Sequence, residues 1–203
     1  MAYNALATEL NAGTEGGTGD MLNSDNIVAQ FKNPDVTSLS IGGTAITATA
    51  AEINATSDAT GRVVTSTGAG TLTLTSALHA GRIVSFNDAD GNIVLPAASG
   101  TGDKYRIYIG VAFTGGTIRV APSSAAMFQG VLRVVDTDND ATINYPALVG
   151  DTFDTITLNG VATGGVVGDW FEFTDVAANI WHIDASVCQS GGSEATPFSS
   201  AIS

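Results

Sequence analysis

The sequence contains a single cysteine, Cys188, and few basic residues. One cysteine excludes a disulfide within the chain, so stability must come from packing and association. Seven Lys and Arg against 20 Asp and Glu give a net charge of −13, and this charge repels the phosphates of nucleic acids. We therefore expect no nucleic acid partner.

Long apolar runs are also missing. No run approaches the ~18 apolar residues that span a membrane, and the start at residues 1 to 6 lacks the basic and apolar parts of a signal peptide. We expect no membrane partner and synthesis in the cytoplasm. Charged residues make up only 13% of the chain, roughly half the usual quarter, whereas glycine is abundant at 24 of 203 residues. This composition is typical of an all-β protein with many tight turns.

Two acidic turns lack the complete ligand set of a calcium site. Residues 136 to 140, DTDND, begin like an EF-hand loop, but Ala141 stands where Gly is needed and Ala147 where a bidentate Glu is needed. Residues 88 to 92, DADGN, contain the Gly but no later carboxylate at the required spacing. Both segments are typical of solvated turns, and we expect no metal and no other cofactor.

Catalytic motifs are likewise incomplete. The two histidines, His79 and His182, lack the further ligands that zinc requires. No nucleotide-binding glycine motif or nucleophile elbow stands in a strand-turn-helix context. The sequence thus offers no catalytic residue set, and we expect neither an enzyme nor a small-molecule substrate.

One carboxylate hypothesis remains open. Sugar hydrolysis needs two carboxyl groups about 5 to 10 Å apart in a cleft, and Glu172 stands beside the aromatic platform of Trp170. A solvent-facing acid on a strand is the interpretation that we favour. The candidate partner acids are Asp169, Asp175 and Asp184. The aromatic residues that could instead stack on a bound sugar are Trp170, Trp181, Tyr105 and Tyr108.

Residues 61 to 187 consist of short β-branched runs separated by turn clusters. About ten strands at this spacing predict an all-β fold, with a β-sandwich or jelly-roll-like domain. The clusters at residues 88 to 91, 114 to 116 and 159 to 160 are typical of hairpin turns.

Alternation with a period of two assigns faces to two of these strands. It places Tyr105, Ile107 and Ile109 in the core, and it places Phe171 and Phe173 together on one buried face.

Three further segments flank the predicted domain. Residues 1 to 35 are predicted to form an extended N-terminal arm, because a glycine-rich stretch separates two apolar clusters. Residues 36 to 60 are predicted to form a β-hairpin, a short helical turn and a connector, and residues 188 to 203 a flexible C-terminal tail. The apolar residues expected to bind a partner are Leu6, Leu10, Ile27, Val28, Phe31, Leu39, Ile41, Ile46 and Phe198.

The segment from residue 36 to residue 54, VTSLSIGGTAITATAAEIN, resembles a short module of virion structural proteins of tailed bacteriophages. Its residues predict a hairpin with Gly42 and Gly43 in the turn, followed by a helical turn capped by Thr49 and Glu52. Residues 168 to 183, together with residues 194 to 199, look like the C-terminal pattern of small phage proteins associated with head decoration.

This resemblance implies a head decoration, or cement, protein on the outer surface of the virion capsid. It implies the major capsid protein as partner and a homotrimer as the assembly, and the negative charge is compatible with a place away from packaged DNA. One alternative is a tail fibre, spike or neck protein that contacts the host. Another, from a different class, is a carbohydrate-binding module.

Overall fold

The computed structural model describes residues 39–41, 44–49, 53, 61–66, 68, 70–122 and 124–201. The chain divides into two compact units, Met1–Thr47 and Ala48–Ser203.

In the first unit, strands β1 (Leu39–Ile41) and β2 (Thr44–Ile46) pair antiparallel, with Leu39 opposite Ile46. This pairing confirms the predicted hairpin. The Gly42-Gly43 turn and the predicted arm at residues 1 to 35 lie outside the described residues.

In the part that the structure describes, the second unit is built mainly from strands, with a short helix at Ser76–His79. Its first sheet has the strand order β10-β9-β13-β12-β7-β5-β3, and its second sheet has the order β14-β11-β8-β6-β4. The elements are β3 (Val63–Ser66), β4 (Thr71–Thr73), α1 (Ser76–His79), β5 (Ile83–Phe86), β6 (Asn92–Val94), β7 (Lys104–Ile109), β8 (Gly116–Arg119), β9 (Met127–Asp136), β10 (Ala141–Ala147), β11 (Thr155–Leu158), β12 (Trp170–Ala177), β13 (Ile180–Gln189) and β14 (Phe198–Ser199). The all-β fold with two sheets is confirmed.

The first six strands of this unit form three coils of parallel pairs. The chain alternates between the two sheets, so β3 and β4 form the first coil, β5 and β6 the second, and β7 and β8 the third. In the first sheet Val63 pairs with Ile83 and Ile83 with Arg106; in the second sheet Thr71 pairs with Asn92 and Asn92 with Thr117. The sheets are therefore mixed, unlike the antiparallel sheets of a jelly roll.

The three predicted hairpin turns are corners instead. The segments at residues 88 to 91 and 114 to 116 connect strands of different sheets, and residues 159 to 160 follow β11 on a path to the other sheet. Turn residues bend the chain, but they do not decide whether the next strand pairs with the preceding one. Among the described strands of this unit, β9 with β10 and β12 with β13 form hairpins.

Side chains from both sheets form one core. Tyr105, Ile107 and Ile109 are fully buried, as are Phe171 and Phe173, which confirms both face assignments. The largest buried side chain is Trp181, whose Nε1 donates a hydrogen bond to the carbonyl oxygen of Pro96 at 3.2 Å.

The prediction of a flexible tail at residues 188 to 203 does not hold for the described part, residues 188 to 201, which contains paired strands. Residues 188 and 189 complete β13, and Phe198 opens β14, which pairs with β11. The Phe198 ring stacks on Phe153 with centroids 5.3 Å apart and lies 6.4 Å from Phe128. Burial of this ring offsets the entropy that ordering the segment costs.

Substitution of Phe198 tests whether this segment belongs to the core. Phe198→Leu should lower the free energy of unfolding by about 1.5 kcal/mol, because the aromatic contacts are lost while much of the apolar volume is kept. Urea denaturation measures the change. The control Ser193→Ala alters an exposed residue of the same segment and should have almost no effect; equal stabilities for both variants would contradict the packing.

Candidate binding groove

An open groove of about 600 Å³ lies on the outer face of the first sheet. The strand register brings its lining residues together, because it aligns two rows of side chains across neighbouring strands. One row places Ser85 beside Tyr108 and Tyr108 beside Trp170. The groove is lined by Val63, Ile83, Ser85, Arg106, Tyr108, Gly168 and Trp170, and we call it the Trp170 groove.

Charge at the groove is positive in an acidic chain. The Glu172 carboxylate forms ion pairs with Lys104 Nζ and with Arg106 Nε, each at 3.6 Å. Two cations therefore share one carboxylate. The Arg106 guanidinium also lies over the Trp170 ring, 5.2 Å from its centroid, a favourable cation–π contact. These three charged groups leave a net charge of one positive unit beside the apolar surface.

The four aromatic residues proposed for stacking separate into two pairs. Tyr105 and Trp181 are buried, and their rings meet edge to face at 5.6 Å. Tyr108 and Trp170 are cross-strand neighbours on the outer face and line the groove. Only the second pair can meet a ligand from solvent.

Two of the candidate acids have structural roles. Asp169 is buried and accepts the backbone N–H groups of Gly165 at 2.7 Å and Cys188 at 2.9 Å. Desolvation raises the pKa of Asp169 despite these hydrogen bonds. Asp175 is buried as well, and it accepts hydrogen bonds from residues 99 to 101.

Glu172 and Asp184 form the remaining carboxylate pair. They stand opposite each other on β12 and β13. Each is engaged by a cation, Glu172 by Lys104 and Arg106 and Asp184 by Arg133, and they lie on an open sheet face. A hydrolase needs carboxyl groups directed at a sugar in a cleft, so this geometry favours ligand binding over hydrolysis.

The aspartates of the two acidic turns accept hydrogen bonds from nearby backbone and side-chain groups. Asp136 accepts the Asp138 N–H at 2.9 Å and the Asn139 Nδ2–H at 2.8 Å, and these two hydrogen bonds are the main reason that its pKa is lowered. Asp88 accepts the Gly70 N–H at 2.8 Å. No cluster of three or more His, Cys, Asp and Glu residues suited to a metal occurs in the described part of the chain.

The histidines differ in environment. His182 is exposed on β13, as expected. His79 is buried at the end of α1, and its Nδ1 accepts the Thr75 N–H at 3.0 Å. Burial lowers the pKa of His79, which favours the neutral ring that this hydrogen bond requires.

The predicted partner-binding residues fall into three groups. Leu6, Leu10, Ile27, Val28 and Phe31 lie outside the described residues. Leu39, Ile41 and Ile46 belong to the hairpin strands, whose side chains are likewise not described. Phe198 is buried in the core of its own chain.

Trp170 and Tyr108 were singled out from the sequence alone, but Val63, Ile83 and Arg106 were missed as their neighbours. The sequence contains an internal repeat that could have predicted this arrangement. The segment Gly61-Arg62-Val63-Val64 recurs, with one conservative change, as Gly81-Arg82-Ile83-Val84. Parallel coils place equivalent repeat positions side by side, and Val63 does pair with Ile83.

No protein-family model, curated protein or solved structure matches this chain. Among the described residues, no helix is both long enough and apolar enough to span a membrane.

Proposed function

We propose that the chain is a non-enzymatic structural component of a tailed-phage particle, a head decoration protein on the outer capsid surface. It bridges neighbouring subunits of the major capsid protein and acts as a homotrimer. The resemblance at residues 36 to 54, and at residues 168 to 183 together with 194 to 199, supports the setting.

The observation that carries the proposal is that the hairpin belongs to a compact unit of its own, Met1–Thr47, distinct from the unit that contains the β-domain. A lone two-stranded hairpin is marginally stable in water, so a hairpin with three-residue strands gains stability against a further surface. A capsid offers such a surface. The β-domain needs no such help, because it buries one core of its own.

Decoration stabilises a particle by linkage. A protein that binds the assembled lattice but not separate subunits shifts the equilibrium toward the assembled state. The net charge of −13 is compatible with the outer surface, away from packaged DNA.

Removal of residues 1 to 35 tests this mechanism. We expect the truncated chain to keep the circular dichroism spectrum of the β-domain, to bind particles at least about tenfold more weakly and to lower the temperature of DNA release. A finer variant combines Leu6→Ser, Leu10→Ser and Phe31→Ser; its matched control combines Thr8→Ser, Thr14→Ser and Thr18→Ser. Unchanged affinity and protection after truncation would refute the arm's role.

A tail fibre or spike is the second candidate, and the three parallel coils of β3 to β8 favour it. Parallel coils extend by repetition into elongated shafts. Electron microscopy of purified particles separates the two functions. Hundreds of copies over the shell support decoration, whereas a few copies at one vertex support the tail.

A further inference from the structure

We propose that the Trp170 groove receives the loop at residues 148 and 149 of a second copy of this chain, in a head-to-tail contact. This inference deepens the proposed function and rests on it for the number of subunits, three. In this contact the apolar groove of one copy, beside Lys104 and Arg106, would hold the apolar loop of the other copy, beside the Asp151 carboxylate.

The groove has the composition of a strong protein contact. Trp, Tyr and Arg dominate the binding energy of protein interfaces, and Trp170, Tyr108 and Arg106 stand together here. Val63 at the outer edge is 55% exposed, and Ile83 beside it is 38% exposed. Exposed β-branched side chains around aromatic residues lose apolar surface to water when a partner covers them.

The proposed ligand is the turn after β10. Leu148 is 61% exposed and Val149 is 87% exposed, the highest value among the exposed large apolar residues of the described chain. Asp151 fixes this turn, because its carboxylate accepts the Leu148 N–H at 2.7 Å and its own N–H donates to the Leu148 carbonyl at 3.1 Å. The loop therefore presents apolar side chains in a held conformation, which reduces the entropy cost of binding.

Charge favours this pairing over the contact of two grooves. A groove facing a second groove would bring Lys104 and Arg106 of both copies together, and like charges across an interface are costly. The loop instead brings the Asp151 carboxylate toward these cations. Two different surfaces meeting in this way form a heterologous contact, and such contacts close into rings when the rotation permits.

The loop cannot occupy the groove of its own chain. Residue 147 anchors it to β10, the edge strand of the first sheet, whereas the groove spans β12, β7, β5 and β3. Three strand spacings separate β10 from β12, the nearest strand of the groove, which is roughly 14 Å at 4.8 Å per strand, and the groove continues away from β10 across β7, β5 and β3. A loop at residues 148 and 149 that fills the groove must therefore come from another copy.

The test uses the full chain in sedimentation velocity over a range of concentrations. Val149→Asp disables the loop, and Val63→Asp on edge strand β3 disables the groove. Each should weaken self-association at least about tenfold. Val176→Asp is the matched control, since Val176 is 52% exposed and belongs to neither surface; it should associate as the wild type does. If Val63→Asp alters the circular dichroism spectrum, Tyr108→Ser replaces it.

A mixture of the two disabled variants gives the sharpest result. Val149→Asp retains an intact groove and Val63→Asp an intact loop, so an equimolar mixture should form one-to-one pairs that cannot close into rings. A monomeric wild type, undiminished association of either variant or a mixture that stays monomeric would each overturn the inference. A monomeric wild type whose groove residues respond to an added oligosaccharide in nuclear magnetic resonance spectra would assign the groove to a glycan instead.

The two levels of the proposal fail separately. Association through loop and groove without particle binding would leave this inference standing and refute decoration. The opposite outcome is that Val149→Asp and Val63→Asp bind particles with wild-type affinity while no variant self-associates. That outcome would refute the inference and leave decoration standing.

Discussion

Replacing Gly130 with alanine is expected to lower the free energy of unfolding by about 4 kcal/mol, because it forces both a backbone clash and a strained conformation. Gly130 lies in β9 with φ at 142°, and it pairs with Ile183 of β13. A Cβ atom there would stand 2.0 Å from the Ile183 carbonyl oxygen. That oxygen belongs to the backbone, so relief requires β9 and β13 to separate.

The control for this prediction is Gly102→Ala. Gly102 also has a positive φ, 79°, but a Cβ atom added to it would meet no other atom within 4 Å. It should therefore cost only the conformational strain, about 1 to 2 kcal/mol. Chemical denaturation of both variants measures the difference, and equal losses would show that the close approach to Ile183 is unimportant.

Replacing Asp175 with asparagine is expected to cost about 3 kcal/mol. The buried carboxylate accepts the N–H groups of Ser99 at 3.0 Å and Gly100 at 2.6 Å and the hydroxyl of Thr101 at 2.9 Å. An asparagine side chain would direct its NH₂ group at these donors, and a buried donor without an acceptor is costly. The loop before β7 would lose its attachment to β12.

The dependence on pH gives this prediction a second readout. Burial by itself raises the pKa of Asp175, but the backbone hydrogen bonds from Gly100, Ser99 and Thr101 outweigh it, so the pKa is lowered. A lowered pKa in the folded state stabilises the protein above the unfolded-state value, about 3.9, and this stabilisation is lost as the pH falls through the folded-state pKa. The stability difference between wild type and Asp175→Asn should therefore shrink below about pH 4.

The control Asp140→Asn removes the same charge from an exposed hairpin position. It should change stability little at any of these pH values. A difference between wild type and Asp175→Asn that stays constant from neutral to acidic pH would contradict the role assigned to the ionised carboxylate.

Local patterns predicted the burial of single strands because they depend on neighbouring residues alone. Alternation in Lys104–Ile109 places every second side chain in the core. The parallel pairing of the coils depends instead on contacts between residues such as Val63 and Ile83, which no single strand contains. Turn clusters indicated where the chain bends, but tertiary packing decided whether the next strand joined the same sheet.

The groove shows the same limit. Trp170 and Tyr108 belong to distant strands, and only the register of β7 against β12 makes them neighbours. The C-terminal segment was misread because its serine and glycine content is typical of a tail. A single aromatic ring, Phe198, changed that outcome by completing a cluster whose other members lie far away in the sequence.

The position of β13 has a consequence for the order of folding. This strand lies between β9 and β12 in the first sheet, yet it follows both of them in the chain. During synthesis, β9 and β10 must wait for residues 180 to 189 before they can join the rest of the sheet. Pairing across so many intervening residues raises the contact order and slows folding. The newly made chain therefore leaves the hydrogen-bonding edge of β9 unpaired until β13 emerges, and this interval is when it is most prone to aggregate.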